Sequence, residues 1–565
     1  MQWDHSVEVL VVGSGNAGLT ASLCLYEMGV KDVLVIEKTA KFGGTSSYSG
    51  GGIWIPANHY AKECGAQDSL EEAKAYLDST VPDELANRPL IDLYLKTAPE
   101  MLKFLHDRTR VRYESLEHYP DYFSDRPGAK PGHRSLEPAP FMIDELGDEA
   151  DSLQLGHPMM RFLGKITISQ KEARLLIGQL PGWKSLIAKM LLDYALDFPW
   201  RLKSTLGRRL ACGSAGIARL RKSMMDRNLP LWLNCKLVDL VKEDDRVVGA
   251  IVERNGQRMT IQATRGVILA AGGFEQNQAA REKYLPQPTN ATWSAGIVSN
   301  QGDAIWAGER IGAATDRMDS AWWCTTYVIP GAEVPYLAIM EKSLPGTAVV
   351  NMKGKRISNE SQNYMSYMKE AFAKHTDATP SSPAYMIFDA DYRANYFVGT
   401  LMNSKFRPDW TLPQSYFDSG FLAKADSIAE LAQKTGIDAG PLQETIASMN
   451  EFAKTGKDSE FGRGDAFYDR YYGDPRVTPN PCLAPIAKPP FYAVRTDLGD
   501  FGTNGGLVTD ANAQVHSTEG APIPGLYAVG NTTIGILPTY PGPGSTLGPA
   551  MAYAYLAAKH ISGNA

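Results

Sequence analysis

Six cysteines are spread over 565 residues, and none of Cys24, Cys64, Cys212, Cys235, Cys324 and Cys482 stands at C-x-x-C or zinc-ligand spacing. A disulfide scaffold and a structural zinc site are thereby excluded, and the six are expected to be reduced thiols in a core. No uninterrupted apolar run reaches 18 residues, so no bilayer-spanning helix is expected. The chain opens Met1-Gln2-Trp3-Asp4-His5-Ser6 and passes directly into an apolar strand, without the charged, apolar and small-residue regions of a leader, which predicts a cytoplasmic protein. Positive charge is not in excess either: 57 Lys and Arg against 63 Asp and Glu leave −6, which excludes a broad affinity for nucleic acid. What is there is a globular composition, 44% hydrophobic and 21% charged, with length for roughly three or four folding units.

The N-terminus carries a strand, a tight glycine turn and a helix. Val7 to Val12 is apolar, Gly13-Ser14-Gly15-Asn16-Ala17-Gly18 follows, and Leu19 to Met28 is helical. Gly13 permits the turn, Gly15 lets a pyrophosphate approach the backbone, and Gly18 lets helix and strand pack. The phosphates then meet the free N–H groups of the helix start. A second strand, Asp32 to Ile36, ends in Glu37, 19 residues after Gly18, where a carboxylate can accept from ribose hydroxyls. The continuation through Lys38, Gly43, Gly44, Thr45 and Ser46 is a second glycine- and hydroxyl-rich loop, which favours FAD over the shorter NAD. Far downstream, Gly525 to Val529 is a strand leading into Gly530 and Asn531, placed to hold a ribityl chain. Between them Leu231 to Glu253 reads as strand, polar turn and strand. Gly266 to Phe274 reads as a buried strand whose Ala271, Gly272 and Gly273 lie under the cofactor or serve a turn.

These residues resemble the fumarate reductase and succinate dehydrogenase flavoprotein superfamily and, within it, the 3-ketosteroid 1-dehydrogenases. The resemblance is carried by Val11 to Gly15, Glu37 to Ser46, Tyr48-Ser49-Gly50 to Trp54, Ala270 to Gly273, Gly505 to Asp510 and above all Thr539 to Gly548, and it covers most of the chain. It implies an α/β fold in which a discontinuous Rossmann-like FAD-binding domain, residues 1–320 and 495–565, is interrupted by an α+β catalytic domain at 321–494. Gly50, Gly51, Ser545 and Leu547 join the expected cofactor contacts. Dicarboxylate reductases need arginine and histidine facing the flavin; this chain has Tyr-Pro-Gly-Pro-Gly there and no arginine from Gly525 to Ala558. The opposite loop, Gly51 to Pro56, is apolar and suits a flat hydrocarbon skeleton.

The resemblance implies removal of two hydrogens from a 3-oxo-4-ene steroid, a proton from C2 and a hydride from C1 to N5 of FAD. Tyr364 corresponds to the tyrosinate that takes the proton, with Tyr367 one helical turn away as the alternative. Tyr122 corresponds to its hydrogen-bonding assistant, and Tyr540 with the Gly544 N–H to the pair holding the C3 oxygen. Two alternatives stay open: desaturation at C4–C5 of a 5α-3-ketosteroid, and a membrane-recruited flavoprotein without steroid turnover. No metal is expected, and the external electron acceptor is open, with a quinone as one candidate.

One stretch departs from the compact pattern. Residues 148–210 look inserted, and from Arg161 to Leu210 ten Lys or Arg face three Asp or Glu, +7 locally against −13 for the remainder. Trp183, Leu186, Ile187, Met190, Leu191, Tyr194, Ala195 and Phe198 recur at helical spacing, marking one apolar face of a helix about 24 Å long. Such a basic, aromatic helix can lie on an anionic membrane, here the inner face of the cell membrane; packing on the protein body or on a second subunit is the alternative.

Overall fold

The computed structural model describes residues 2–564. The first sheet starts with β1 (His5–Val12), the turn into α1 (Asn16–Glu27), and β2 (Val33–Ile36). It continues with β3 (Leu231–Trp232), β4 (Cys235–Glu243), β5 (Arg246–Arg254) and β6 (Gln257–Leu269) in the spatial order β3-β2-β1-β6-β5-β4. The strand Pro522–Ala528 joins β6 in parallel, with Val267 opposite Leu526. β1 lies between parallel partners, Leu10 opposite both Leu34 and Val267, and its last four residues are buried, as a strand covered on both faces demands. β6 changes character along its length. Its first half is the solvated end of an antiparallel meander, and its last four residues, Gly266 to Leu269 after the exposed Arg265, run buried beside β1. Both ends of the sequence thus meet at the carboxyl ends of β1 and β6, where open α/β sheets bind ligands.

The second sheet is antiparallel: β7 (Ala321–Tyr327), β8 (Tyr336–Leu337), β9 (Thr347–Val350), β10 (Ala384–Phe388), β11 (Leu422–Ala425) and β12 (Phe491–Thr503), ordered β8-β7-β12-β10-β9 with β11 also on β12. The expected boundary at 494/495 falls inside β12, which pairs Phe388 with Tyr492 at one end and Ala321 with Thr503 at the other. A 13-residue strand that serves both neighbours cannot be divided, so this sheet extends to Thr503.

The stretch expected to be an insertion is closed at its neck by pairing of Phe141 with Leu210 and Met142 with Arg209. It holds α2 (Gln170–Ile177) and α3 (Trp183–Leu196). α3 stops two residues short of the expected Phe198, because Pro199 has no N–H to continue the ladder. The apolar face is only partly covered. Met190 is buried and Trp183, Leu186, Ile187 and Tyr194 are half-buried, whereas Leu191, Leu192, Leu196, Phe198 and Leu202 are exposed, the last to 75%. Two helices, Ile428–Thr435 and Ala439–Thr455, are parted where Gly436 takes φ +76°. α4 (Tyr364–Ala373) and α5 (Leu547–Ser562) complete the frame of the site. α5 lies along α1, its Ala550, Ala554 and Ala557 small enough for close approach.

Candidate active site

The glycine turn divides its labour as its spacing predicts. Gly13 takes φ +110°, and a Cβ there would stand 2.3 Å from the Ala270 carbonyl oxygen; one on Gly18 would stand 2.0 Å from the Gly13 oxygen. Gly15 is different: only the Ser46 hydroxyl lies within van der Waals reach, at 3.4 Å, so the space above it is open. Beside it Asn16 Oδ1 and Thr20 Oγ1 are buried and without partners among the described residues. The Asn16 N–H donates to Ser46 Oγ at 3.1 Å, which fixes the second loop against the first. Gly530 (φ +69°) faces the Ala17 and Ala550 methyls, at 3.3 and 3.9 Å from where a Cβ would stand. An open glycine cradle, orphaned polar atoms and the start of α1 fit a pyrophosphate, and the Gly530 turn beside them fits the rest of an FAD.

The remaining expected contacts are placed as follows. Glu37 accepts from the Ser14 hydroxyl (2.6 Å), the Ser14 N–H (3.3 Å), the Thr39 N–H (3.0 Å) and the Thr39 hydroxyl (3.1 Å), so a ribose diol reaching it replaces one of these hydroxyls. Lys38 is engaged by an ion pair with Asp303 rather than pointing into the cradle. The Gly43 N–H donates to Ser14 Oγ at 3.1 Å, and Gly44 (φ +52°) has open space above it. Thr45 Oγ1 accepts from the Ile297 N–H and from Asn300 at 3.1 and 3.2 Å. The Gly50 carbonyl accepts from Gln170 of α2, and Gly51 packs on Gly213. Ala271 is half-buried and Gly272 lies against Asn300. Asn531 accepts from the Trp322 indole at 3.1 Å. Asn300 and Glu275 were not found from the sequence. They meet at 2.6 Å beside Gly272 and Gly273, and no spacing rule links Asn300 to the glycine pair.

Across the cleft, the loop Thr539 to Thr546 is held by donors from the N-terminal half. The Tyr76 hydroxyl and the Tyr122 N–H donate to the Pro541 carbonyl (2.6 and 2.9 Å), and the Ser135 hydroxyl donates to that of Pro543 (2.9 Å). Ser545 Oγ closes the loop on itself, donating to the Gly542 carbonyl at 2.6 Å, and Leu547 begins α5. A Cβ on Gly544 (φ +99°) would stand 2.5 Å from Ile53 Cα, so only glycine lets this loop lie on the Gly52–Ile53 backbone. Tyr540 itself takes φ +59°, a strained conformation for a tyrosine, kept by these surrounding bonds.

That strain brings three phenols together. Tyr122, Tyr364 and Tyr540, each 5% exposed, have ring centroids 5.4 to 5.8 Å apart, walled by Phe501 and Trp322. The Tyr122 hydroxyl donates to the Tyr364 hydroxyl at 3.2 Å, and Thr546 Oγ1 donates to Tyr540 at 3.2 Å. Tyr364 is the first residue of α4, whose cap is Asn363. Tyr367 lies outside the box, under the Lys342 ammonium, its hydroxyl without a partner among the described residues. Burial pushes the Tyr122 and Tyr364 phenols well up, and for Tyr364 the neighbouring Tyr540 and Tyr119 add to this while Tyr122 opposes it. Burial also raises Tyr540, opposed by bonds from Thr546, Tyr364 and the Gly544 amide. Around these phenols the fully buried arginines are already paired: Arg134 with Asp68 and Asp121, Arg281 with Asp500, and Arg463 with Glu360.

A glycine cradle that fits a dinucleotide, together with an aromatic box of hydroxyls, defines a flavin-dependent dehydrogenase. The family model for the FAD binding domain matches residues 8–547, and the chain belongs to that family. The 3-oxosteroid 1-dehydrogenase of Mycobacterium tuberculosis is 38% identical over 568 residues, 99% of this chain and 98% of that one. The 4-oxocyclohexanecarboxylate 2-dehydrogenase of Sinomonas cyclohexanicum is 34% identical, over 99% and 93%. The crystal structure of 3-ketosteroid Δ1-dehydrogenase from Sterolibacterium denitrificans with 1,4-androstadiene-3,17-dione superimposes with a TM-score of 0.95 at 41% identity, covering 99% of this chain and all of that one.

Proposed function

We propose that the protein desaturates C1–C2 of 3-oxo-4-ene steroids. The observation that carries this reading is the box itself: three buried phenols with ring centroids 5.4 to 5.8 Å apart, Tyr122 bonded to Tyr364, beside the Gly544 amide. FAD, when bound, supplies the two-electron acceptor for the hydride leaving C1. Tyr364 takes the C2 proton as its phenolate, and Tyr122 donates to that phenolate at the observed contact. Tyr540 Oη and the Gly544 N–H hold the C3 oxygen as negative charge moves onto it, a preorganised donor of this kind being worth on the order of 3 kcal/mol. Lys38 is not assigned a cofactor contact in this reading, because Asp303 neutralises it. The test is anaerobic mixing with 4-androstene-3,17-dione, with the product identified by NMR and mass spectrometry. The 1,4-diene is expected. A parent protein whose yellow colour no 3-ketosteroid bleaches defeats the proposal, as does a product unsaturated only at C4–C5 from a 5α-steroid.

The acceptor that reoxidises the cofactor is proposed to be a quinone, and the inserted stretch to rest on an anionic bilayer. Leu191, Leu192, Leu196, Phe198 and Leu202 are exposed together, and Lys184, Lys189 and Lys203 stand exposed near them, complementary to anionic headgroups. No helix of the described residues is long and apolar enough to cross a membrane. Co-sedimentation with vesicles containing anionic lipid, lost on Leu192→Glu with Leu196→Glu and weakened by salt, is expected. Binding to neither anionic nor neutral vesicles, with a concentration-dependent dimer instead, assigns the patch to a second copy.

A further inference from the structure

Between β10 and β11 the chain leaves the short helix Ala390–Asn395 and crosses a loop whose largest side chains face water. Trp410, 86% exposed, is the most exposed large apolar side chain among the described residues; Phe406 is 70% exposed, and Met402 is exposed on the same loop. An indole left in water forgoes the burial of one of the largest apolar areas a side chain carries.

The loop is held from its buried side by a single cation. The Arg393 guanidinium, 2% exposed, donates to the Met402 carbonyl, to the Arg407 carbonyl at 2.8 Å and to Asp409 Oδ1 at 3.2 Å, and the Ser404 N–H donates back to the Arg393 carbonyl at 2.8 Å. A guanidinium buried that deeply needs these acceptors, so the loop cannot turn its rings inward without stripping it. Asp409 is the one carboxylate between residues 402 and 411, and it is neutralised from within, accepting from Lys424 and from the Tyr492 hydroxyl at 2.7 Å each. Lys405 is exposed and Arg407 half-buried, so the charge the loop shows outward is positive. Lys405 Nζ donates to Asn395 Oδ1 at 3.0 Å, and the Asn395 carbonyl accepts at 3.0 Å from Gln179, on the turn between α2 and α3. The loop and the inserted stretch are therefore neighbours, joined through Asn395.

We propose that the loop Met402–Trp410 is a second membrane anchor, with Trp410 and Phe406 entering the headgroup layer of an anionic bilayer and Lys405 and Arg407 meeting its phosphates. It rests on the membrane reading of the inserted stretch for the nature of the surface, and its residues are separate. Two exposed rings with cations beside them and no free carboxylate match the chemistry of that layer, where an indole keeps its N–H wet and its ring in hydrocarbon. A second copy of the chain is a poorer match: a stable dimer buries about 800 Å² on each partner, and the three apolar side chains of this loop offer roughly half of that. One anchor on α3 and another on the β10–β11 loop fix the orientation of the protein on the surface, and each raises the local concentration of the other at the bilayer.

The test is co-sedimentation of the holoenzyme with phosphatidylcholine vesicles, with and without phosphatidylglycerol. Phe406→Ser combined with Trp410→Ser is expected to keep FAD and the parent's turnover of dissolved steroid, while its partition onto the anionic vesicles falls by about tenfold. With brominated lipid in the vesicles, the fluorescence of the parent is expected to be quenched more than that of Trp410→Phe. Partition of the double variant within about twofold of the parent overturns the anchor, as does equal quenching in Trp410→Phe. A concentration-dependent dimer of the parent that the double variant dissociates gives the loop to a second copy and also overturns it. Leu192→Glu with Leu196→Glu separates the two readings. If that variant binds as the parent does while the loop variant is released, the inserted stretch loses its role and the loop anchor stands. If it alone is released, only the loop proposal has failed, and if the parent binds neither kind of vesicle, both have.

Discussion

At the residue scale the site is a problem of keeping phenols where phenols are costly. Tyr364 and Tyr122 are buried among rings, and burial raises both well above the usual phenol range, whereas a base at C2 must be ionised. The phenolate fraction near neutrality is therefore small and grows with pH. Turnover is expected to rise continuously from pH 6 to beyond pH 9, because the group that must lose its proton has a raised pKa; a kcat profile that falls above pH 7 contradicts the phenolate. In the proposed reaction Tyr540 plays the opposite part, remaining protonated to donate to the C3 oxygen. Tyr540→Phe removes one such donor and is expected to lower kcat by roughly 10² to 10³, the usual loss for one oxyanion donor, with the visible spectrum of bound FAD unchanged. Of these residues, the sequence made Tyr540 and Gly544 legible, since a run of prolines and glycines around one tyrosine serves no regular element. Their geometry was not legible: φ +59° at Tyr540 follows from bonds to Tyr76, Tyr122 and Ser135, hundreds of positions away.

At the scale of elements, α2 connects the inserted stretch to the site. Ser169 caps its start, bonding reciprocally with Glu172, and Glu137 accepts from the Gln170 and Lys171 N–H groups at 2.7 and 3.3 Å. Glu137 is 1% exposed, and burial pushes its carboxyl up to about 7, opposed by those two N–H groups and by Lys171, with Glu114 adding to the rise. A carboxyl with a folded pKa above its unfolded one binds its proton more tightly when folded. Its contribution therefore falls as pH climbs from about 4.5 to 7 and is constant above, the full span being at most about 3 to 4 kcal/mol at about 1.4 kcal/mol per pKa unit. In hydrogen exchange, the opening free energy of 170–177 is expected to decline between pH 5 and 7.5, and Glu137→Gln to abolish the decline. An unchanged slope in the variant assigns the titration to other groups. This capping was invisible in the sequence, because Glu137 lies 33 positions before Gln170 on a strand of another sheet. The first turn was legible as far as strand, glycines and helix, since each glycine meets a local constraint. The break between the helices Ile428–Thr435 and Ala439–Thr455 comes from the left-handed conformation of Gly436, a local backbone choice that apolar periodicity does not signal.

At the scale of the whole molecule, the same chemistry could serve any cyclic ketone with adjacent C–H bonds, and the name of the Sinomonas relative shows how far substrates range at 34% identity. In the proposed reaction the phenols act on the carbonyl and the carbon beside it, so discrimination falls to the rest of the pocket. A small ketone bearing a carboxylate must bring that charge into a buried site, and an unpaired buried carboxylate costs several kcal/mol. Here the fully buried arginines Arg134, Arg281, Arg393 and Arg463 are neutralised by Asp68 and Asp121, Asp500, Asp409 and Glu360. A steroid asks for no cation and offers four fused rings to Tyr122, Phe501 and Trp322, each able to bury large apolar area. Anaerobic flavin bleaching by 4-oxocyclohexanecarboxylate is accordingly expected to have kcat/KM below that of 4-androstene-3,17-dione by on the order of 10³, equivalent to about 4 kcal/mol at 1.4 kcal/mol per tenfold. Comparable values for the two would mean that the aromatic walls contribute little to selection and that a carboxylate finds a cation within the pocket; Arg174, the arginine of α2 over Tyr471, would then be the first to replace with methionine.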